Sequence, residues 1–254
     1  MLVTTPVTIL KTYDYSETSK ILRCLTRDLG LRSVIAKGAR RPRSRFGGLV
    51  EPFSDGIATF YLKDGRDLYT LSSFELTRER QALGHDLVRF GGAGLLTELA
   101  LRFSSASEER RLFDRLRIGL DRLVAAPGDA AALALREAWG MISALGFRPA
   151  VARCVSCSGE SNDAEESRFD LEAGGLQCLR CIRRNPERGR GLDLPPEAGR
   201  ELRALAAPAR NGAPPLGPLR TGRLQRAILR EFVVLHLADD RPLNSLAFLE
   251  RQLG

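Results

Sequence analysis

Four cysteines carry the sharpest chemical signal in the chain. Cys154-Val-Ser-Cys157 is followed, twenty residues later, by Cys178-Leu-Arg-Cys181. Each CxxC turn can aim two sulfurs at one ion, and two such turns complete a tetrahedron. Four thiolates leave no open coordination position, so the expected occupant of Cys154, Cys157, Cys178 and Cys181 is one structural Zn2+ ion. An iron–sulfur cluster or a redox pair could use the same spacing. Gly159 is expected to relieve the tight turn after the first knuckle. Arg168 to Gln177 reads as a hairpin around Ala173-Gly174-Gly175. Few large apolar side chains lie between 150 and 190, so an ion should supply stabilisation that a core cannot.

A second cluster is cationic. From Leu31 to Lys37 the residues alternate as in a strand, and then the pattern stops. Lys37, Arg40, Arg41, Arg43 and Arg45 fall within nine residues with no acid among them. Pro42 forbids a helix interior, and Gly38, Gly47 and Gly48 permit sharp turns. A flexible basic loop of this kind suits phosphates, because each guanidinium fork can donate two parallel hydrogen bonds. A solvated charge run is the plainer reading of the same residues. Lys20, Arg23 and Arg32 lie on the flanking strands and extend the candidate phosphate surface. Phe46 could stack on a base or fill a barrel core. The net charge of +8 and a pI near 9.7 favour a polyanionic partner. Of 39 basic residues only four are lysines, so part of the arginine excess can reflect genomic base composition.

The elements that must position these residues change character along the 254 residues. Residues 1–80 read as five short strands: Val3–Tyr15, Lys20–Arg27, Leu31–Lys37, Gly56–Lys63 and Leu68–Leu76. Asp64-Gly65 between apolar runs signals a hairpin. Five strands in this length suit a small barrel, with an OB-fold as the natural candidate and an SH3-like barrel as the rival. Helices follow. Leu87–Phe103 has helical apolar spacing, and Gly91, Gly92 and Gly94 inside it point to close helix packing or an interruption rather than a phosphate loop. Glu108–Val124 follows a cap at Ser107, and Ala130–Leu145 follows a cap at Asp129 and ends at Gly146. Leu194–Ala207, Gly222–Leu237 and Ser245–Leu253 complete the helical set and should pack back on the first helices, leaving the cysteine module as an excursion. The resulting expectation is an α+β chain: 1–80 barrel, 81–149 first helical part, 150–191 inserted four-cysteine zinc module, 192–254 second helical part.

Trp139 is expected in the core, Cys24 as a buried thiol, and His85 and His236 outside any ligand set. No nucleophile elbow, Walker motif, HExxH or dinucleotide fingerprint is present, so an enzyme is not the leading reading. No apolar run reaches a membrane-spanning length, and MLVTTPVTILK lacks the features of a secretory signal, so a cytoplasmic, nucleoid-associated protein is expected.

Several segments together resemble the RecO family of bacterial recombination mediators. They are Tyr15-Ser-Glu-Thr-Ser-Lys20-Ile-Leu, Leu25-Thr26 with Gly30, Ala36–Gly48, Glu51-Pro-Phe53 and Leu71-Ser-Ser-Phe-Glu75-Leu. Arg241-Pro-Leu-Asn-Ser245-Leu-Ala-Phe-Leu resembles the family's closing segment, and the paired CxxC turns fit its zinc-bearing members. Asn244 departs from a basic residue often found there. The resemblance implies an N-terminal OB-fold, a helical domain and a zinc module. It implies binding of single- and double-stranded DNA, annealing of complementary strands, and RecA loading onto strands coated by single-stranded-DNA-binding protein. RecR is the implied partner, with RecF in the same pathway. An RNA- or ribosome-associated zinc protein and a nuclease or strand-transfer enzyme are the alternatives that the residues leave open.

Overall fold

A computed structural model describes residues 1–62, 67–104, 109–125, 127–160, 162–186, 190–208, 215–237 and 241–253. The expected hairpin at Asp64-Gly65 and the cap at Ser107 lie outside these residues. The chain forms two compact units: Met1–Asp86 with Leu96–Ala125, and Leu87–Leu95 with Ala126–Gly254.

The first unit is built on a closed barrel. Strands β1 (Leu2–Tyr15), β2 (Ser19–Thr26), β3 (Gly30–Ala36), β4 (Asp55–Tyr61) and β5 (Leu68–Arg78) close in the order β1-β2-β3-β5-β4, with β4 returning to β1. All pairs are antiparallel except β3–β5, an OB-like arrangement. Inward positions are apolar: Val7, Ile9, Leu22, Cys24, Val34, Ala58, Phe60 and Leu71 fill the barrel. Burial pushes the Cys24 thiol up to about 12, so it remains a protonated core side chain. Between Ile9 and Lys11 the pairing with β2 slips, which makes Leu10 the extra residue of a β-bulge.

After β5, a 3-10 turn at Gln81–His85 leads to α1 (Leu87–Phe103) and α2 (Glu109–Ala125). Leu112, Leu116, Leu120 and Leu123 are buried along one face of α2, as their spacing predicts. A buried ion network ties α2 to the barrel. Arg80 and Asp55 are only 1% and 2% exposed at their side chains and pair at 2.8 Å. Arg80 also donates to Asp121 (2.8 Å) and to the Phe53 carbonyl (2.6 Å), while Asp55 accepts from Arg117 (2.8 Å) and Thr8 (2.7 Å). Burial alone would raise the Asp55 carboxyl. The hydrogen bonds and charge of Arg80, with Arg117 and Thr8, hold it below the usual carboxylate range.

The second unit centres on α3 (Ala130–Ala144), capped by the Asp129 carboxylate accepting from Ala132 N at 2.8 Å and stopped at Gly146, whose φ is +96°. Against α3 pack α5 (Pro196–Ala206) and α6 (Gly222–His236). Trp139 is fully buried and meets Phe232 edge-on at 5.1 Å. The final helix, α7 (Asn244–Leu253), explains two of the glycines of α1. A Cβ at Gly91 would come within 3.0 Å of Phe248, and one at Gly94 within 3.1 Å of Ser245. Close helix packing is therefore the role of Gly91 and Gly94.

Between α3 and α5 lie β6 (Ser167–Asp170), β7 (Gly175–Cys178), α4 (Leu179–Arg184) and β8 (Gly191–Leu194). β6 and β7 form the expected hairpin, and β8 adds a third strand that the sequence did not announce. Helix α5 begins at Pro196, where a missing N–H costs nothing, so the expected helix start at Leu194 is in fact the end of β8. The module is less of an excursion than expected. Phe169, Leu171, Leu176 and Leu194 are buried, and Phe169 packs edge-on against Phe232 of α6 at 6.1 Å. His236 lies at hydrogen-bond distance from the Leu171 carbonyl, 2.7 Å away. The hairpin thus shares the apolar core of the helices.

Candidate nucleic-acid interface and metal centre

The basic loop is a chain of turns rather than a flexible tether. Arg40 N bonds to Thr18 O (2.9 Å), Arg41 N to Gly38 O (3.1 Å), Ser44 N to Arg41 O (3.0 Å) and Phe53 N to Ile9 O (2.8 Å). Gly38 and Gly48 take positive φ, which is where the loop needs glycine. Ala39, Phe46 and Val50 plug the loop into the barrel core. Phe46 is 2% exposed, so the stacking role is excluded and the core role stands. Arg45 instead lies over the outer side of its ring, 4.8 Å from the centroid.

This anchoring leaves the charges outside. Lys37, Arg40, Arg41, Arg43 and Arg45 are all exposed. Arg40 is partly engaged, 3.5 Å from Asp14 and 3.3 Å from the Ser16 carbonyl. No acid among the described residues pairs with Lys37, Arg41 or Arg43. The strand cations are more committed. Lys20 pairs with Glu51 at 2.7 Å, Arg23 donates to Ser33 at 2.7 Å, and Arg32 donates to the Leu31 carbonyl at 2.8 Å. By register, Lys20 and Arg32 fall on the inward parity of Leu22 and Cys24, whereas Arg23 points outward.

Sequence reasoning missed the surface beside this loop. Without a bulge, strict alternation from Val7 and Ile9 would carry Lys11, Tyr13 and Tyr15 into the barrel. The extra residue at Leu10 turns all three outward. Tyr13 and Tyr15 remain 45% and 48% exposed, and the Lys11 ammonium lies 5.1 Å from the Tyr13 ring centroid. Cross-strand pairing aligns Lys11 with Arg23 and Ser33, and Tyr13 with Ile21 and Ile35. An open pocket of ≈ 380 Å³ lies next to this row, lined by Tyr15, Ile35, Lys37 and Arg41 among others. The available signal was Lys-x-Tyr-x-Tyr, a cation and two aromatics at strand period.

The four cysteines converge. Their Sγ atoms all lie within 4.8 Å of one another, and Cys157 and Cys178 are 3.8 Å apart. Four sulfurs around a zinc at about 2.3 Å stand roughly 3.8 Å from each other, so the donor set fits a tetrahedral metal. Backbone N–H groups of Ser156 and Cys178 point at Cys154 Sγ, at 3.4 and 3.3 Å. Arg180 donates to Cys157 Sγ at 3.8 Å. The Gly159 N–H and then Arg180 bring the Cys157 thiol down to about 6, whereas burial and the neighbouring thiols push Cys181 up to about 12. One thiol ionises readily and another resists, and a dication at the centre is what would ionise all four. The strained residue of the knuckle is Ser158, at φ +57°, and not Gly159 as expected. Gly175 is indispensable nearby, because a Cβ there would lie 2.3 Å from the Ala150 carbonyl.

Among the described residues no helix is long and apolar enough to cross a membrane. Two family models cover almost the whole chain: the recombination protein O N-terminal domain over residues 1–80, and its C-terminal domain over residues 84–247. The DNA repair protein RecO of Rubrobacter xylanophilus is 33% identical over 236 residues, covering 92% of this chain and 90% of that protein. The RecO of Anaeromyxobacter sp. (strain K) is 34% identical over 248 residues, covering 95% and 93%. That of Bacillus pumilus is 30% identical over 207 residues, covering 80% and 76%. An OB-like barrel, a helical remainder and two matching models lead to one assignment: the chain belongs to the RecO family of DNA repair proteins.

Proposed function

We infer that this protein is a non-enzymatic DNA-binding mediator of recombinational repair. It binds single- and double-stranded DNA, anneals complementary strands, and with RecR promotes RecA loading onto strands coated by single-stranded-DNA-binding protein. RecF acts in the same pathway. Family membership supports the pathway. The observation that carries the DNA-binding part is the rigid loop that projects Lys37, Arg41 and Arg43 with no acidic partner among the described residues. An anchored loop backbone leaves only side-chain freedom to be lost when these unpaired cations meet phosphate, so their charge is available for affinity. Arg23 and the half-engaged Arg40 add to this surface, and Lys20 and Arg32 contribute less because of their existing bonds. The four-cysteine centre takes one Zn2+, and its role is structural, since all four positions are protein sulfur.

Neutralising Lys37, Arg41 and Arg43 together tests the reading. The log-affinity against log-salt slope should become shallower by about 2 for single strands and by somewhat more for duplex, whatever the base sequence. Circular dichroism should be unchanged, because these side chains take no part in the core. A folded triple variant with the wild-type slope removes the assignment. Tighter binding of structured RNA than of DNA would favour an RNA-directed role instead.

A further inference from the structure

We propose that Tyr13 and Tyr15 form a stacking track for the bases of single-stranded DNA, with the pocket beside Tyr15 taking one unstacked base. This inference deepens the DNA-binding reading and rests on it. Two large aromatic rings stay almost half exposed on one outward row of β1. Neither fills the barrel core, whose members are other residues. Residues two apart on a strand are separated by about 7 Å, a separation one extended nucleotide can bridge. The track has an aliphatic floor, Ile21 and Ile35, aligned across the sheet from Tyr13. It also has two cations at each end: Lys11 and Arg23 at one, Lys37 and Arg41 at the other.

The pocket repeats this chemistry on a smaller scale. Tyr15 and Ile35 offer an apolar wall for a base face, and Lys37 and Arg41 offer charge for the phosphate attached to it. Asp14 does not oppose this, because Arg40 lies 3.5 Å from its carboxylate. Glu17, in the turn from β1 to β2, and Glu51, already paired with Lys20 at 2.7 Å, are further acids near this end of the strand. Stacking is indifferent to base identity, since every base has a π face. It is unavailable to duplex DNA, whose bases are already stacked on each other. The basic loop therefore supplies affinity for both forms, and the tyrosine track discriminates in favour of single strands.

The test uses the full chain with Tyr13→Ala/Tyr15→Ala and Tyr13→Phe/Tyr15→Phe. Each is measured by fluorescence anisotropy against oligothymidylate, an abasic deoxyribose-phosphate strand of equal length, and a duplex. The wild type should bind oligothymidylate more tightly than the abasic strand. The alanine variant should lose about tenfold per tyrosine on oligothymidylate, fall to the abasic level, and keep its duplex affinity and salt slope. The phenylalanine variant should restore binding. Equal wild-type affinity for the abasic strand, an alanine variant that weakens duplex as much as single strand, or no loss at all would each overturn the track. If the wild type binds oligothymidylate with a steep salt slope and the tyrosines do not matter, the track fails and the DNA-binding reading survives. If the wild type binds neither strand nor duplex, both fail.

Discussion

In the four-cysteine cluster the sulfurs come from two turns of four residues each, whereas on the barrel face Lys11, Arg23, Ile35 and Arg41 come from three strands and a loop. The first geometry is local. A CxxC turn brings its own two sulfurs together, and the hairpin β6–β7 needs only to set the two turns side by side. The second geometry is a matter of register. One extra residue at Leu10 decides whether two tyrosines face the core or the solvent. Locally specified sites should fail ligand by ligand. Register-specified sites should fail with the scaffold that sets the register.

The largest effect is expected at the metal. Cys178→Ser should abolish binding of one equivalent of zinc, read by elemental analysis. It should open the knuckles to protease first, while the hairpin around Phe169 stays protected by its packing on α6. Simultaneous loss of the whole unit would mean that the ion, and not the shared core, holds the hairpin.

Next in size is the scaffold of the barrel. Asp55→Ala removes one of the two carboxylates that pair with buried Arg80, leaving the partly exposed Asp121, and should cost about 1–3 kcal/mol in a urea titration. The metal content should be unaffected. Asp55→Asn sharpens this through pH. A carboxyl held below its usual range stabilises the fold above its unfolded pKa, and that stability disappears as pH falls through the lower folded value. The difference in stability between wild type and Asp55→Asn should therefore be constant near neutrality and shrink below about pH 4. A difference that grows on acidification contradicts the assignment.

A smaller change tests the surroundings of the sulfurs. Arg180→Ala removes the donor to Cys157 Sγ and should weaken zinc about tenfold in a chelator competition, without unfolding the unit. The smallest effect belongs to Arg40→Ala. Because Arg40 is already shared with Asp14 and the Ser16 carbonyl, the salt slope for DNA should fall by less than the ~0.7 expected of Arg41→Ala. Equal slopes for the two variants would mean that the ion pair with Asp14 dissolves when DNA binds.

Much of this was legible in residue order because its causes are short-range. The five strands, the helix capped at Asp129, the β6–β7 hairpin and the convergence of the four cysteines each follow from spacing over a few residues. The glycines of α1 announced close approach, although only the packed α7 identified the partner. By itself the sequence determined an OB-like barrel followed by helices, a donor set of four cysteines and a loop dense in positive charge. Tertiary structure alone decided which of those charges are free, that Phe46 is core, that Arg80 and Asp55 are buried together, and that Lys11, Tyr13 and Tyr15 share an outer face. The physical reason is that burial and pairing depend on residues distant in the chain: Lys20 meets Glu51, Arg80 meets Asp55 and Asp121, and a bulge in β1 is visible only against the register of β2.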